Sequence, residues 1–202
     1  MSLSLRQQKA LQTKQRIVAA ALDLFSKKGF DHVTVDEIVQ VSNTSKGAFY
    51  VHFNSKYEIF LEKFKEIDEF YENFTETLPK EMSSYEKILL LTKSQMIYLK
   101  DCLGIDLIRT VYMSALIPNQ PKFLSNTDRT LFKIVHSFVY EGQDNGEFKK
   151  YLSSQEITML ITRCMRGTLY DWALFGEEFD LVEESQKFIR TILSGMLTKV
   201  DN

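Results

Sequence analysis

The chain has 202 residues, 44% of them apolar and 26% charged, with a formal net charge of −2, an ordinary globular balance that can bury a core without disulfides or metals. Only 8 Gly and 3 Pro occur, against roughly 14 and 10 from average usage, so turns are few and a sandwich, barrel or propeller is disfavoured. The 15 Phe and 9 Tyr exclude disorder.

The first apolar-periodic segment spans residues 6–28, with Ile17, Ala20, Ala21, Leu24 and Phe25 at helical spacing. Lys27 and Lys28 suit the carbonyl end of its dipole, and Gly29 supplies the left-handed stop. Thr34-Val35-Asp36-Glu37 reads as a capping box that opens a short helix to about residue 42, burying Val35, Ile38 and Val39. Ser42-Asn43 ends it, and Asn tolerates a left-handed conformation. A second short helix is expected over 45–52, and a long one over 56–77 with the seam Phe60, Phe64, Ile67, Tyr71, Phe74 and Leu78, ended by Pro79. Further helices are expected at 84–101, 104–117, 121–143, 154–175 and 182–199, punctuated by Pro118, Pro121, Gly142, Asn145-Gly146 and Gly176. No segment alternates as a strand would. The spacing therefore predicts an all-α chain: a three-helix helix-turn-helix domain over 1–54 and a larger helical bundle over 55–202.

Charge divides along the same line. Residues 1–60 carry eight Lys/Arg and five Asp/Glu, a balance of +3; residues 61–202 carry 17 and 22, a balance of −5. A basic head on an acidic body fits a phosphate-binding end and a non-binding end. No apolar run reaches the ~18 residues of a membrane span, and the N-terminus lacks the apolar stretch of a secretory signal. Cys102 and Cys164 are too few for a disulfide framework and show no zinc spacing, so both are read as reduced thiols in a cytoplasm.

Residues 34–52 form helix, short turn, helix, as a DNA-reading unit requires. The second helix contains Gly47, which costs about 1 kcal/mol against Ala in a helix interior. A purely structural helix gains nothing from it. A helix pressed into a major groove does gain, because Gly47 and Ala48 let the backbone approach the duplex. Ser45 and Lys46 stand at its start, where free N–H groups attract phosphate and Lys46 can reach guanine acceptors. Tyr50 and His52 offer polar tips to the DNA backbone, Phe49 points inward, Lys56 can hold a flanking phosphate, and Thr34 offers a hydroxyl.

These residues resemble the TetR family of bacterial transcriptional regulators. The likeness lies in residues 17–30 (IVAAALDLFSKKGF), 34–38 (TVDEI) and 45–56 (SKGAFYVHFNSK). The specific part covers about residues 10–60; a helix carrying Arg166-Gly167 and Trp172 looks like the family's C-terminal region. Asn43 stands where relatives usually have Gly, Ser42 where they have Ala, and Val51 where they often have a polar or aromatic side chain. The resemblance implies that Thr34, Ser45, Lys46, Gly47, Ala48, Tyr50, Val51, His52 and Lys56 lie at a double-stranded operator.

The resemblance also implies a small-molecule effector and a homodimer. Met and polar-tipped aromatics in the middle of the chain make Phe64, Tyr71, Met96, Tyr112, Met113 and His136 pocket candidates, though plain core explains each as well. Asp68 or Asp106 could counter a cationic ligand. The seams of the last two helices, with Cys164, Thr168, Trp172, Ile189, Ile192, Leu193 and Met196, are candidates for a four-helix dimer interface; packing within one chain is the alternative. No cofactor, metal or catalytic arrangement is indicated. The expected function is a ligand-released repressor. A DNA-binding adaptor governed by a protein partner is the alternative.

Overall fold

The computed structural model describes residues 4–116 and 123–198, without the side chains at 60, 61, 64, 114 and 123. Pro118 and Pro121, and the side chains of Phe60 and Phe64, lie outside the described set. Among the described residues the regular elements are helices, apart from one isolated antiparallel bridge between Phe148 and Leu197. They are α1 (Leu5–Lys28), α2 (Val35–Val41), α3 (Lys46–His52), α4 (Tyr57–Glu76), α5 (Ser84–Tyr98), α6 (Gly104–Ala115), α7 (Thr130–Asp144), α8 (Ser154–Phe175) and α9 (Leu181–Met196).

Caps set most of these boundaries. Ser4, Thr34, Ser83 and Ser153 each form a capping box with the Gln or Glu three residues on, so orphan N–H groups at the starts of α1, α2, α5 and α8 are satisfied. Gly29 and Gly176 end α1 and α8 with positive φ. The helix expected from residue 121 begins instead at Thr130. Phe123–Ser125 makes one 3-10 turn, and the Asn126 side chain then accepts from the Asp128 N–H at 2.9 Å, which competes with helix formation. Between α5 and α6 the backbone widens into a π turn, Leu99–Leu103.

The chain forms two compact units. The first takes in Met1–Ile67 and Thr110–Gln120, the second Asp68–Arg109 and Pro121–Asn202. The division falls inside α4, and residues 110–120 group with the first unit. In the first unit α1 packs on α2 and α3 around Ile17, Ala21, Phe25, Ile38, Phe49 and Phe53, with Phe25 and Phe30 edge to face at 5.0 Å.

In the second unit α5 packs on α7 and α9, and α8 on α7 and α9. Ile88, Leu91, Met96, Val135, Ile157, Ile161, Ile189 and Leu193 fill that core. Glu147 spans the N-terminus of α5, accepting from the N–H groups of Ser84 and Tyr85 at 2.9 and 2.8 Å. Gly142 is required by packing: a Cβ there would meet the Phe148 ring at 2.4 Å.

Candidate nucleic-acid interface

The turn between α2 and α3 depends on Asn43, the one described non-glycine residue with positive φ, at 50°. The Thr44 N–H returns to the Val39 carbonyl at 2.9 Å, and the Ser42 and Thr44 hydroxyls pair at 2.8 Å. Ser45 then caps α3 by accepting from the Ala48 N–H at 3.1 Å. Phe49 is fully buried and tethers the helix, with its ring 5.7 Å from that of Phe53. The opposite face looks outward: Val51 is 79% exposed and Tyr50 55%, with Ser45, Lys46 and Gly47 exposed beside them and Ala48 and His52 half-buried.

Gly47 is the informative residue. A Cβ added there would meet nothing closer than the Ser45 hydroxyl at 3.8 Å, and its φ is not in the left-handed region. Neither packing nor conformation in this chain requires glycine at a position where it weakens the helix. Its effect is to leave the outward face of α3 open to close approach at this point.

The charges around α3 are paired within the chain and remain open to solvent. The Lys46 ammonium rests on the Asp36 carboxylate of α2 at 2.7 Å, with both side chains mostly exposed, and that hydrogen bond raises the lysine's pKa. Lys46 must exchange this partner to reach a base or phosphate. Glu37 accepts from Lys28 at 2.7 Å and from the Thr34 N–H and hydroxyl at 2.9 and 3.1 Å. Lys28 and then Thr34 hold its carboxyl down at about 2. The Thr34 hydroxyl is thus engaged in the cap of α2.

Lys56 does different work from that expected. Its ammonium donates to the carbonyls of Phe30, Val33 and Asp31 at 2.6, 2.8 and 3.3 Å and lies 4.4 Å from the centre of the Phe30 ring. Burial lowers its pKa, with Asp31 and Glu37 opposing. It is a clasp on the α1–α2 loop and not a free phosphate ligand; the three carbonyls lie 23 to 26 residues away in sequence, beyond any local spacing rule. Lys56→Ala is therefore expected to lower the melting temperature of the first unit, leaving three carbonyls unserved at about 1–3 kcal/mol in total. The salt slope of DNA binding should stay unchanged. A flattened slope at unchanged stability would return Lys56 to the phosphate.

Of the six pocket candidates, the Phe64 side chain lies outside the described residues, and the other five are distributed over the two units. Tyr71 and Met96 are buried in the second unit. Tyr112 and Met113 belong to the first, with Met113 on its surface. His136 lines a separate groove of about 330 Å³ with Phe132, Lys133, Thr158 and Met159, its Nε2 3.1 Å from the Ser154 hydroxyl.

Around Tyr71 the structure instead assembles a polar cluster inside the apolar bundle. Arg129, at the start of α7, donates to Asp68 of α4 at 2.9 Å, with both side chains largely buried. The Tyr71 hydroxyl pairs with Gln95 of α5, and burial pushes it well above its ordinary pKa, so it stays a neutral hydrogen-bonding group. The Gln95 carbonyl oxygen is buried with no hydrogen-bond partner among the described residues. Asp68 is thus already countered from within the chain. Its position three residues before Tyr71, beside an apolar seam, was the only sequence signal.

The dimer candidates also need correction. Cys164, Thr168, Trp172, Ile189, Leu193 and Met196 are buried within one chain, and Ile192 is half-buried. Burial holds the Cys164 thiol up at about 12. α8 buries one apolar stripe, and its opposite face is mixed, with apolar side chains around an arginine and a glycine. The outward stripe is Leu160, Arg163, Gly167, Tyr170 and Leu174, at spacings of three and four residues, with Phe188 exposed on α9. A Cβ at Gly167 or Gly195 would meet nothing within 4 Å, so both leave room for close approach from outside.

Comparison with known proteins adds two family matches. Residues 17–62 match the model of bacterial regulatory proteins of the tetR family, and residues 60–195 match that of the C-terminal region of YsiA-like proteins. The Fatty acid metabolism regulator protein of Bacillus subtilis (strain 168) is 20% identical over 185 residues, covering 91% of this chain and 95% of that one. The crystal structure of FadR from Bacillus subtilis in complex with stearoyl-CoA superposes with a TM-score of 0.78 at 22% identity, covering 90% of this chain and 98% of that one. That of Thermus thermophilus FadR in complex with lauroyl-CoA gives 0.70 at 21%, covering 92% and 96%.

Proposed function

We propose, because this chain belongs to the tetR family of bacterial regulatory proteins, that it is a homodimeric, DNA-binding repressor released from its operator by an amphiphilic effector. Gly47 carries the DNA-binding half of this reading. It is exposed, unconstrained by the fold and unfavourable for the helix that holds it. α3 enters the major groove, with Lys46 at base edges and Tyr50 and His52 at phosphates. A dimer places two such helices on successive turns of the duplex, joined through the outward faces of α8 and α9.

The effector is an acyl thioester or a molecule of like build. The proteins similar to this chain hold stearoyl-CoA and lauroyl-CoA, and the polar cluster of Tyr71, Gln95 and Arg129 supports the same class here. An apolar chain suits the aromatic bundle. A carbonyl end can accept from Arg129 or Tyr71, while a neighbouring amide N–H can donate to the Gln95 oxygen. The effector then favours a dimer geometry whose α3 helices no longer match the operator.

The test is stearoyl-CoA added to the protein on a fluorescent duplex selected from a random pool. Release of the duplex is expected, together with a higher melting temperature of the effector complex, about 2.7 kcal/mol of added stability at a hundredfold excess over Kd. Gln95→Leu should need roughly tenfold more thioester, the loss of one hydrogen bond. If acyl thioesters of every chain length leave both readouts unmoved, this effector class is wrong, and the DNA-binding half stands or falls on its own titration.

A further inference from the structure

The first 22 residues contain Arg6, Lys9, Lys14 and Arg16 and no acidic residue at all. α1 begins at Leu5, and residues 4–12 are exposed throughout. Its first turn holds no Asp or Glu, so Arg6 and Lys9 sit at the positive end of the helix dipole, where cations are unfavourable. A helical overhang of this length is marginal in water by itself.

Its direction is set by the residues that follow. Lys14 pairs with Glu62 of α4, and its ammonium lies 5.9 Å from the centre of the Phe53 ring, immediately after α3. The overhang thus begins beside the C-terminal end of the recognition helix. The stripe buried at Leu24, Ala20 and Ile17 continues toward the N-terminus as Thr13, which is half-buried, and then Lys9 and Arg6, which are exposed. The face that rests on the helix-turn-helix therefore runs on for about 16 Å past Ile17. Arg6, Lys9 and Arg16 form no ion pair among the described residues. A groove of about 730 Å³ along this flank is lined, among the described residues, by the donors Lys9, Gln12, Thr13, Gln15 and Arg16 together with Ala19, and by no carboxylate.

We infer that the N-terminal overhang of α1 is a second DNA-binding element, which lies along the phosphates flanking the base pairs read by α3. The inference rests on the DNA-binding reading above. The duplex supplies the negative charge that the first turn lacks, and the contact continues the α3 interface past Phe53.

The full-length protein is titrated against a 40-base-pair duplex selected by the wild type from a random pool. Arg6→Gln with Lys9→Gln should weaken binding roughly tenfold or more at physiological salt and lower the log–log salt slope by about 3–4 per dimer, near 0.9 for each phosphate released. The outermost protected nucleotides of the hydroxyl-radical footprint should disappear while the melting temperature holds. An unchanged slope and footprint overturn the proposal, as does loss of binding to phosphatidylglycerol vesicles with DNA binding intact. If Gly47→Leu loses the duplex and the arm variant does not, the arm is wrong and the α3 reading survives. If the wild type selects no duplex, both fail.

Discussion

Gly47→Leu folds as stably as the wild-type chain and does not bind the selected duplex. The two halves of this expectation have separate physical grounds. Inside the protein the new side chain meets open space, since even its Cβ comes no nearer than 3.8 Å to the Ser45 hydroxyl. Replacing glycine by a good helix former in the first turn of α3 does not weaken the helix, so the melting temperature should hold or rise. Outside it, leucine projects from the face that carries Lys46, Tyr50 and Val51 and holds the backbone away from the base edges. Direct readout and close phosphate contacts are lost together, and affinity should fall to the non-specific level, by about three orders of magnitude or more. Calorimetry and anisotropy on one preparation decide it. Wild-type affinity in the leucine variant would remove α3 from the groove.

Leu174→Asp with Phe188→Asp yields a folded monomer, whereas Leu193→Asp or Met196→Asp yields a protein that does not fold. Leu174 and Phe188 are exposed in the single chain, on the outward faces of α8 and α9. Charges there meet water in the monomer and an apolar partner in the dimer, so the cost, several kcal/mol for the pair, falls on association alone. Leu193 and Met196 are buried, and a charge at either must be buried with them. Sedimentation and far-ultraviolet dichroism separate the two outcomes. The monomer should also lose tight operator binding, because one α3 reads too few base pairs. A double variant that still sediments as a dimer would place the interface elsewhere.

Local chemistry was legible in the sequence, and long-range chemistry was not. The Thr34–Glu37 box, the turn at Asn43 and the inward anchor Phe49 follow from residue types a few positions apart, and the structure shows each of them. The clasp formed by Lys56 and the Asp68–Arg129 pair, 61 residues apart, depend on which helices meet. No periodicity encodes that. The α8 seam fell between the two cases: the apolar pattern was visible, but an apolar seam does not declare whether its own chain or a second copy covers it. The start of α7 was missed although its signal is local: Ser125-Asn126-Thr127-Asp128 is a cluster of turn formers, and the Asn126 side chain bonds the backbone two residues on.

α3 has a small hold on the rest of its unit: seven residues, one buried side chain and a glycine in its second position. A segment so lightly anchored opens locally at little free energy. A duplex that recognises only its closed form adds the missing order by mass action. The proposed reading head would then draw part of its order from the duplex it contacts, through the face it leaves exposed.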